Sequence, residues 1–248
     1  SLMYQLSEIL HLNEITVTGK KIKEIIKDQV PFNNDVIRSL KNPIYKEGSL
    51  AVLKGNLAPD GCVIKPAACE KKFLKHKGPV IVFDSYPEMN KIIDSEDLEV
   101  SENHILVLRN VGPVGGPGMP EWGMIPIPQK LLKRGVRDMV RISDARMSGT
   151  SYGACILHVA PESYIGGPLS LLKTGDIVEI DVNKRSINML VDDETLQKRK
   201  SNLVQKKPKA GRGWLWMYSN HVRQANEGCD FDFLETDFGN SAKEPDIF

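Results

Sequence analysis

A segment rich in glycine and proline ends in a carboxylate that could bind a metal ion. Residues 111–121 contain four glycines and three prolines, follow a predicted strand at 104–109, and end at Glu121. This composition is typical of an irregular loop. Mg²⁺ usually takes one or two protein carboxylates and keeps water or substrate oxygens for the rest. Glu121 is therefore a candidate magnesium ligand, and a surface glutamate after a complex turn is the alternative.

A second segment has a serine where negative charge can be stabilised. Residues 143–153 follow a predicted strand at 139–142 and lead into a predicted helix at 151–158. Free N–H groups at a helix start favour an anionic group, and Gly149 permits close approach. A nearby Mg²⁺ would add positive charge, so Ser148 could act as a base in its deprotonated form. The alternative is that Ser148 is an N-cap or turn residue.

Three nearby side chains are further candidates. His158 lies at the end of the predicted helix and could reach the serine, or it could be a hydrogen-bonded packing residue. Asp144 and Arg146 could orient the serine turn or bind a substrate carboxylate, or they could pair with each other. The residue types alone leave these alternatives open.

The composition is that of a globular chain without a charge bias. Its 248 residues are 41% hydrophobic and 26% charged, which is enough to bury one large core. The formal charge is +1, so we expect no nucleic-acid partner. No apolar run of about 18 residues and no signal-peptide pattern occurs, so we expect no membrane association and a cytoplasmic location.

The cysteines do not have the spacing of a metal or cluster site. Cys62, Cys69, Cys155 and Cys229 are far apart, and none forms a pair with two intervening residues. Ferredoxin-type iron–sulfur sites usually use closely spaced cysteines. We therefore expect four reduced thiols and no cluster held by this chain.

Short predicted strands dominate the middle of the chain, and helices lie between and after them. Together they predict a mixed α/β fold with a β-barrel-like domain flanked by helices. The predicted strands cover residues 49–53, 62–65, 79–83, 104–109, 139–142, 176–182 and 186–191, and the predicted helices cover 86–93, 128–134 and 151–158.

The two ends of the chain differ from its middle. Residues 1–30 combine short apolar runs with a Thr18-Gly19 turn and a helical segment, as in a remnant or linker from another domain. The barrel domain is predicted over residues 31–205. Residues 206–248 are predicted to form a linker, a last helix at 213–228 and a tail.

Several segments in a fixed order carry a family resemblance. They include Gly115-Gly-Pro-Gly-Met-Pro-Glu121, Ser143-Asp-Ala-Arg-Met-Ser-Gly-Thr150, His158-Val-Ala-Pro-Glu162 and the longer segments 10–20, 55–61, 82–85 and 166–181. Over about residues 10–234 they resemble the C-terminal portion of the dihydroxy-acid dehydratase and phosphogluconate dehydratase family. The resemblance implies a swivelling barrel domain. Several motifs that occur in the same order are far more specific evidence for a family than any single motif.

The resemblance implies roles for individual residues. The glutamate of the loop is a Mg²⁺ ligand, here Glu121, and the serine of the Ser-Gly-Thr turn is the catalytic base, here Ser148. Thr150, with Gly149, would help to hold the substrate. The implied reaction removes water from a 2,3-dihydroxy acid: the serine takes the C2 proton, the C3 hydroxyl leaves on a cluster iron acting as Lewis acid, and a 2-keto-3-deoxy acid results.

Members of the family are much longer than this chain. The resemblance places their cluster cysteines and remaining metal ligands in an N-terminal domain that these residues do not include. Mg²⁺ and an iron–sulfur cluster are thus expected in the complete enzyme, the cluster is expected to be absent from this chain, and the chain alone is expected to be inactive. The partners implied are a small hydroxy acid, the N-terminal domain and further copies in a homo-oligomer.

The end of the chain indicates the substrate class. Residues 217–234 resemble the end of aldonic-acid dehydratases, which favours a sugar acid, although the segment could also simply lock the barrel or a dimer contact. Two alternatives in function are a dihydroxy-acid dehydratase of branched-chain amino-acid biosynthesis and a non-catalytic barrel module. A third, an aconitase-like small-subunit isomerase, is disfavoured by the residue 115–121 motif.

Overall fold

The computed structural model of the protein describes residues 1–43, 48–204, 206 and 210–234. The predicted linker at 206–211 lies partly outside these ranges, and the tail after residue 234 lies wholly outside them. The chain divides into two compact units, Ser1–Ser49 and Leu50–Phe248. Among the described residues, no helix has the length and apolarity needed to span a bilayer.

The first unit contains little regular structure. Its described residues contain the helices α1 (Leu2–Gln5) and α2 (Ile22–Ile26) and a 3₁₀ turn at Ser7–Ile9. The predicted turn at Thr18-Gly19 is confirmed, because Gly19 has a φ of 74° and its N–H donates to the Thr16 carbonyl. Many apolar side chains of this unit, such as Val17 and Phe32, are fully exposed.

The second unit is built on a closed eight-stranded barrel. Its strands follow the order β1-β2-β6-β5-β4-β3-β7-β8 around the barrel. They are β1 (Ala51–Gly55), β2 (Ala58–Ile64), β3 (Lys75–Phe83), β4 (Ile105–Leu108), β5 (Arg141–Ser143), β6 (Cys155–Ala160), β7 (Ile177–Asp181) and β8 (Ser186–Met189). The predicted mixed α/β barrel is thereby confirmed.

The four neighbouring strands β3, β4, β5 and β6 are parallel. Strand β4 is buried on both faces, as expected for parallel strands covered by helices. Its residues Ile105 and Val107 pack inside the barrel, whereas Leu106 and Leu108 pack in a second cluster outside it. That outer cluster includes Met89 of α3 (Tyr86–Ile92). The core therefore has two layers around this part of the sheet.

The remaining helices in the described residues are α4 (Gln129–Lys133), α5 (Asp193–Ser201) and α6 (Gly213–His221). Leu131 of α4 also packs in the outer cluster. Asp192 caps α5 by accepting a hydrogen bond from the Thr195 N–H at 2.8 Å. The acidic residues Asp193 and Glu194 follow in the first turn of α5, where negative charge is favourable.

The helix predicted at residues 151–158 is wrong. This segment ends in strand β6, which pairs with β5 on one side and with β2 on the other. A short apolar run reads the same for a buried strand as for a buried helix, so local periodicity could not separate the two. The helix start that was expected to stabilise a charge at Ser148 is consequently absent, and the serine lies in a loop.

The helix predicted at residues 213–228 is shorter than expected. It ends at His221, and Val222 is extended and forms a bridge with Phe231. A separate 3₁₀ turn, Ala225–Glu227, follows, and Gly228 ends that turn with a φ of 86°. Gly228, which was expected to end the helix, therefore ends this 3₁₀ turn instead.

Candidate active site

The candidate residues lie at the carboxyl edge of the parallel strands, where α/β sheets commonly bind ligands. Leu108, the last residue of β4, is paired with Ser143, the last residue of β5. The segments that follow, residues 111–123 (the Glu121 loop) and residues 144–153 (the Ser148 loop), therefore start side by side. The strand order of the barrel brings the two sequence motifs to one place.

Arg146 connects the two loops. Its carbonyl accepts a hydrogen bond from the Gly123 N–H at 2.8 Å. Its Nη2 pairs with Oε1 of Glu121 at 2.7 Å, and both side chains are about half exposed. Its Nη1 lies 3.5 Å from the Met119 carbonyl. Arg146 therefore pairs with Glu121 and not with Asp144, which settles one of the open alternatives.

Asp144 is a buried organiser of the loops. Its carboxylate is fully buried and accepts hydrogen bonds from the backbone N–H groups of Asn110, Val111 and Ser163 at 2.9–3.2 Å. The hydroxyl of Ser163 also donates to it. Burial raises the pKa of Asp144, although these hydrogen bonds act in the opposite direction. Asp144 thus holds the start of the Glu121 loop against the segment that follows β6.

Glu162 binds the glycine-rich part of the Glu121 loop. Its fully buried carboxylate accepts hydrogen bonds from the N–H groups of Val114 and Gly115, both at 2.8 Å. A Cβ on Gly112 would lie 2.7 Å from the Glu162 carboxylate, so only glycine fits this approach. Burial raises the pKa of Glu162, and the two N–H donors oppose that shift.

The C-terminal segment braces this arrangement. Gln224 donates from Nε2 to the Glu162 carboxylate at 2.9 Å, and its Oε1 accepts from the Glu162 N–H at 2.8 Å. Cys229 places its sulfur 3.2 Å from the sulfur of Met119 in the Glu121 loop. Residues from the end of the chain therefore hold the loop that carries the candidate metal ligand.

Ser148 lies in a tight turn with a cation beside it. Its hydroxyl is 3.0 Å from the Thr150 hydroxyl and 3.4 Å from the Thr150 N–H. The Lys65 ammonium donates to the carbonyls of Gly149 at 2.8 Å and Ser151 at 3.4 Å. A Cβ added to Gly149 would meet no atom within 4 Å, so open space adjoins this backbone. The turn thus exposes one N–H donor and one fixed positive charge near the serine.

A buried ion pair anchors the far end of the Ser148 loop. Arg141 and Asp138 pair at 3.1 Å and are almost completely buried. Asp138 also accepts from the Ala154 N–H, and Arg141 donates to the Tyr152 carbonyl. The loop is therefore held by Asp144 at its start, by Lys65 in its middle and by this pair at its end.

One small cavity contains several of the candidate residues. Its volume is about 160 Å³, and its lining includes Lys65, Ser148, Gly149 and His158. Burial and the charge of Arg146 lower the pKa of His158 below its ordinary value. The imidazole is therefore neutral at neutral pH. Glu121 is not part of this lining and reaches the serine loop only through Arg146.

The possible metal ligands of the described residues are dispersed. Among the described residues, no three His, Cys, Asp or Glu side chains are gathered closely enough to hold an ion. All four cysteines are free, and burial raises the pKa of Cys62 and of Cys69 to about 12. Burial also raises the pKa of Cys155 and Cys229. Thiols in this state are poor ligands, because iron and zinc bind the thiolate.

Sequence reasoning found the two loops but missed three of the side chains that hold them. Lys65 and Gln224 come from distant positions, and no local pattern marks either as a partner of the serine or of Glu162. Glu162 had a signal, since it is a charged residue directly after an apolar run. Such a carboxylate, when buried, needs several donors. This need for donors could have indicated that Glu162 binds backbone N–H groups of another segment.

Comparison with known proteins places the chain among dehydratases. Residues 35–229 match the family model described as "Dihydroxy-acid/6-phosphogluconate dehydratase C-terminal". The chain is 48% identical over its full length to a protein named 6-deoxy-6-sulfo-D-gluconate dehydratase from Pseudomonas putida, of which it covers 43%. The family model and this relative thus both indicate a family of dehydratases.

Two further relatives carry different substrate names. One, from Rhizobium leguminosarum bv. trifolii, is named L-arabinonate dehydratase and is 41% identical over 94% of this chain and 40% of its own length. Another, from Clostridium beijerinckii, is named dihydroxy-acid dehydratase and is 43% identical over 90% of this chain and 40% of its own length. The chain therefore spans less than half the length of these curated relatives.

Proposed function

The chain belongs to the dihydroxy-acid/6-phosphogluconate dehydratase family and carries its C-terminal domain, and we propose that it forms the C-terminal part of a hydro-lyase that removes water from a 2,3-dihydroxy acid. The relatives that it matches are named dehydratases and are more than twice as long. A further, N-terminal domain would complete the active site. The homo-oligomer and the cytoplasmic location expected from the sequence remain predictions.

The observation that carries this proposal is the link between the two loops. The Glu121 loop and the Ser148 loop leave adjacent parallel strands, and Arg146 ties them together through Glu121 and the Gly123 N–H. A magnesium ligand and a base that act on one substrate must be held at a fixed separation. Buried Asp144 and Glu162 supply that rigidity.

Ser148 is the proposed base that takes the proton from C2 of the substrate. The C2–H bond breaks and its proton moves to the Ser148 alkoxide, while the electron pair forms the C2–C3 double bond and the C3–O bond breaks to release hydroxide. The proton then passes from Ser148 to this hydroxide, which leaves as water, so the alkoxide is regenerated and an enol remains. The enol then becomes the 2-keto-3-deoxy acid. Support for deprotonation of Ser148 comes from the Thr150 N–H at 3.4 Å and from the adjacent Lys65 ammonium. These two groups would stabilise the negative charge that was expected from the sequence to be stabilised by the start of a helix.

Thr150 and Gly149 are the proposed substrate-binding residues. The Thr150 hydroxyl lies 3.0 Å from the Ser148 hydroxyl, close enough to bind the same part of a ligand. Gly149 has open space in front of its backbone, so a substrate group can approach it without meeting a side chain. Lys65 keeps the turn in this form by binding the carbonyls of Gly149 and Ser151.

Glu121 is the proposed Mg²⁺ ligand. Its carboxylate is half-exposed on a loop and uses Oε1 for Arg146. Oε2 has no hydrogen-bond partner among the described residues, so it can bind a hard cation. This fits one ligand of a site whose other ligands lie outside this chain, because the described residues hold no three-ligand group. A bound Mg²⁺ supplies positive charge that favours deprotonated oxygen groups beside it.

The cysteines of this chain do not fit an iron–sulfur cluster. They are dispersed, and burial favours their thiol form. The cluster implied by the family resemblance would have its ligands in the N-terminal domain. We assign no step of the reaction to it through residues of this chain.

The proposed substrate class is a sugar acid. Two relatives, at 48% and 41% identity, are named for sugar acids. The end of the chain also resembles that of aldonic-acid dehydratases. Gln224 and Cys229 in this segment contact the Glu162 network and the Glu121 loop, so the segment adjoins the proposed site.

A second candidate, a dihydroxy-acid dehydratase of branched-chain amino-acid biosynthesis, is favoured by the 43% identical relative of that name. An assay of the complete enzyme separates the two. Keto-acid formation would be measured with arabinonate, xylonate, gluconate and 2,3-dihydroxyisovalerate. We expect turnover with an aldonic acid. Turnover with dihydroxyisovalerate alone would support the second candidate, and turnover with none would support a non-catalytic barrel module.

A further inference from the structure

His158 has a backbone conformation that normally belongs to glycine. Its φ is 55°, although it lies inside strand β6. The pairing of β2 with β6 shifts here, since Gly61 pairs with Ala160 whereas Val63 pairs with Leu157. Such a bulge places one residue in the left-handed region, where glycine is favoured. A histidine at this position is strained, and such strain concentrates at functional sites.

His158 lines the same cavity as Ser148. Lys65 and Gly149 also belong to this lining, and the cavity has a volume of about 160 Å³. At about 30 Å³ for each water, this volume holds about five water molecules or a few heavy atoms of a substrate. A ligand group in the cavity is therefore near both the imidazole and the serine hydroxyl.

The His158 ring forms no hydrogen bond with any residue in the described part of the chain. The His158 backbone N–H donates to the Ala145 carbonyl at 3.1 Å. The other walls include the apolar side chains of Val63, Ile64 and Leu157. A partly buried imidazole normally finds a polar partner. Both ring nitrogens are thus available to a ligand.

The charges around the ring keep it neutral. Lys65 lines the same cavity, Arg146 lies near it, and the Cys155 thiol on the wall is uncharged because burial raises its pKa. The lining residues in the described part of the chain include no carboxylate that could stabilise an imidazolium. A neutral imidazole offers one donor and one acceptor. This pair is complementary to a hydroxyl group, which both donates and accepts.

We propose that His158 is a substrate-binding residue that hydrogen-bonds a hydroxyl group of the hydroxy acid beside Ser148. The inference rests on the proposed function and deepens it, because it names the uncharged polar group that this wall of the site recognises. It also explains why histidine occupies a position where glycine would relax the backbone. The imidazole positions the substrate and takes no proton from it.

The test uses His158→Gly in the complete enzyme with the aldonic acid that gives the fastest wild-type turnover. Glycine suits the local backbone and leaves a hole of imidazole size. We expect kcat/KM to fall by about 10- to 100-fold, as for loss of a buried hydrogen bond, with KM carrying part of the loss. Millimolar imidazole should raise the kcat/KM of His158→Gly several-fold. His158→Asn keeps a donor and an acceptor, so its kcat/KM should lie between those of the wild type and His158→Gly.

Arg185→Gly is the matched control, because Arg185 has the same φ of 55° in the turn between β7 and β8. It reports the effect of a glycine at a left-handed position away from the cavity and should leave kcat/KM unchanged. Wild-type kcat/KM in His158→Gly, or a loss that imidazole does not restore and that follows the melting temperature, would overturn the proposal. Two results separate the failure of this proposal from the failure of the proposed function: absence of turnover by the wild-type enzyme with every acid tested contradicts the proposed function, whereas an active Ser148→Ala enzyme contradicts only the role of Ser148 as the base.

Discussion

Replacing Gln224 by leucine should loosen the Glu121 loop and destabilise the barrel. Gln224 makes two hydrogen bonds to Glu162, one to the buried carboxylate at 2.9 Å and one from the Glu162 N–H at 2.8 Å. Leucine has a similar size but neither donor nor acceptor. It therefore leaves a buried N–H unpaired and removes one of the donors that compensate a buried carboxylate.

The expected loss follows from these two contacts. An unpaired buried N–H costs about 1–3 kcal/mol, and a hydrogen bond to a charged group contributes about 1.5–3 kcal/mol. Because Gln224 is only half-buried, water can partly replace both lost hydrogen bonds. We therefore expect the free energy of unfolding to fall by about 2–4 kcal/mol. At about 2–4 °C per kcal/mol for a domain of this size, the melting temperature should fall by roughly 4–16 °C.

Thermal and urea unfolding of this chain, followed by circular dichroism, would measure the change. Gln197→Leu, an exposed substitution on α5, is the matched control and should stay within about 0.5 kcal/mol of wild type. If Gln224→Leu is also within about 0.5 kcal/mol, the brace between the C-terminal segment and Glu162 does not contribute to stability, and the reasoning is refuted.

Two other predictions concern the metal and the cluster. In the complete enzyme, Glu121→Gln should weaken Mg²⁺ binding at least tenfold. The melting temperature should change little, because a half-exposed loop carboxylate contributes little to the core. Unchanged metal titration and activity would show that Glu121 is not a ligand of the site. The isolated chain, incubated anaerobically with iron and sulfide, should show no cluster absorbance and no turnover, because its cysteines are dispersed thiols, two of them buried and two partly buried. Stoichiometric iron with turnover would contradict this.

Local patterns predicted those elements whose boundaries are marked by turn residues. The predicted strand at 104–109 contains β4, and the strands predicted at 176–182 and 186–191 contain β7 and β8, with a turn at residues 183–185 between them. That turn is closed by the Asp181 carboxylate, which accepts from the Lys184 N–H at 3.0 Å. Its stability is local, so nearby residues are sufficient to indicate it.

Strand β6 could not be predicted in the same way. Residues 155–160 are apolar on both faces, and their identity as a strand depends on pairing with β2, more than 90 positions earlier in the chain. The left-handed backbone of His158 arises from that pairing and had no local signal. Tertiary context therefore decided the element that forms one wall of the Ser148 cavity.

The candidate site was predictable in part. The motifs indicated Glu121 and Ser148, whose direct participation in the reaction stays a prediction. Lys65 reaches the Ser148 loop across 84 residues. Gln224 reaches Glu162, which binds the Glu121 loop, across 62 residues. Contacts of this separation are created by strand order, and a single sequence does not report strand order.

Proton exchange at C2 of the substrate tests the central claim most directly. The complete wild-type enzyme and Ser148→Ala would be incubated with the aldonic acid in deuterated solvent, and loss of the C2 proton signal would be followed by NMR. A general base contributes about 10²- to 10⁴-fold in rate, whereas loss of a turn serine costs only about 1 kcal/mol of stability. We predict that Ser148→Ala loses exchange and turnover by at least about 100-fold with metal content and melting temperature almost unchanged. Near wild-type exchange in a variant that only melts a few degrees lower would show that Ser148 stabilises the turn and is not the base.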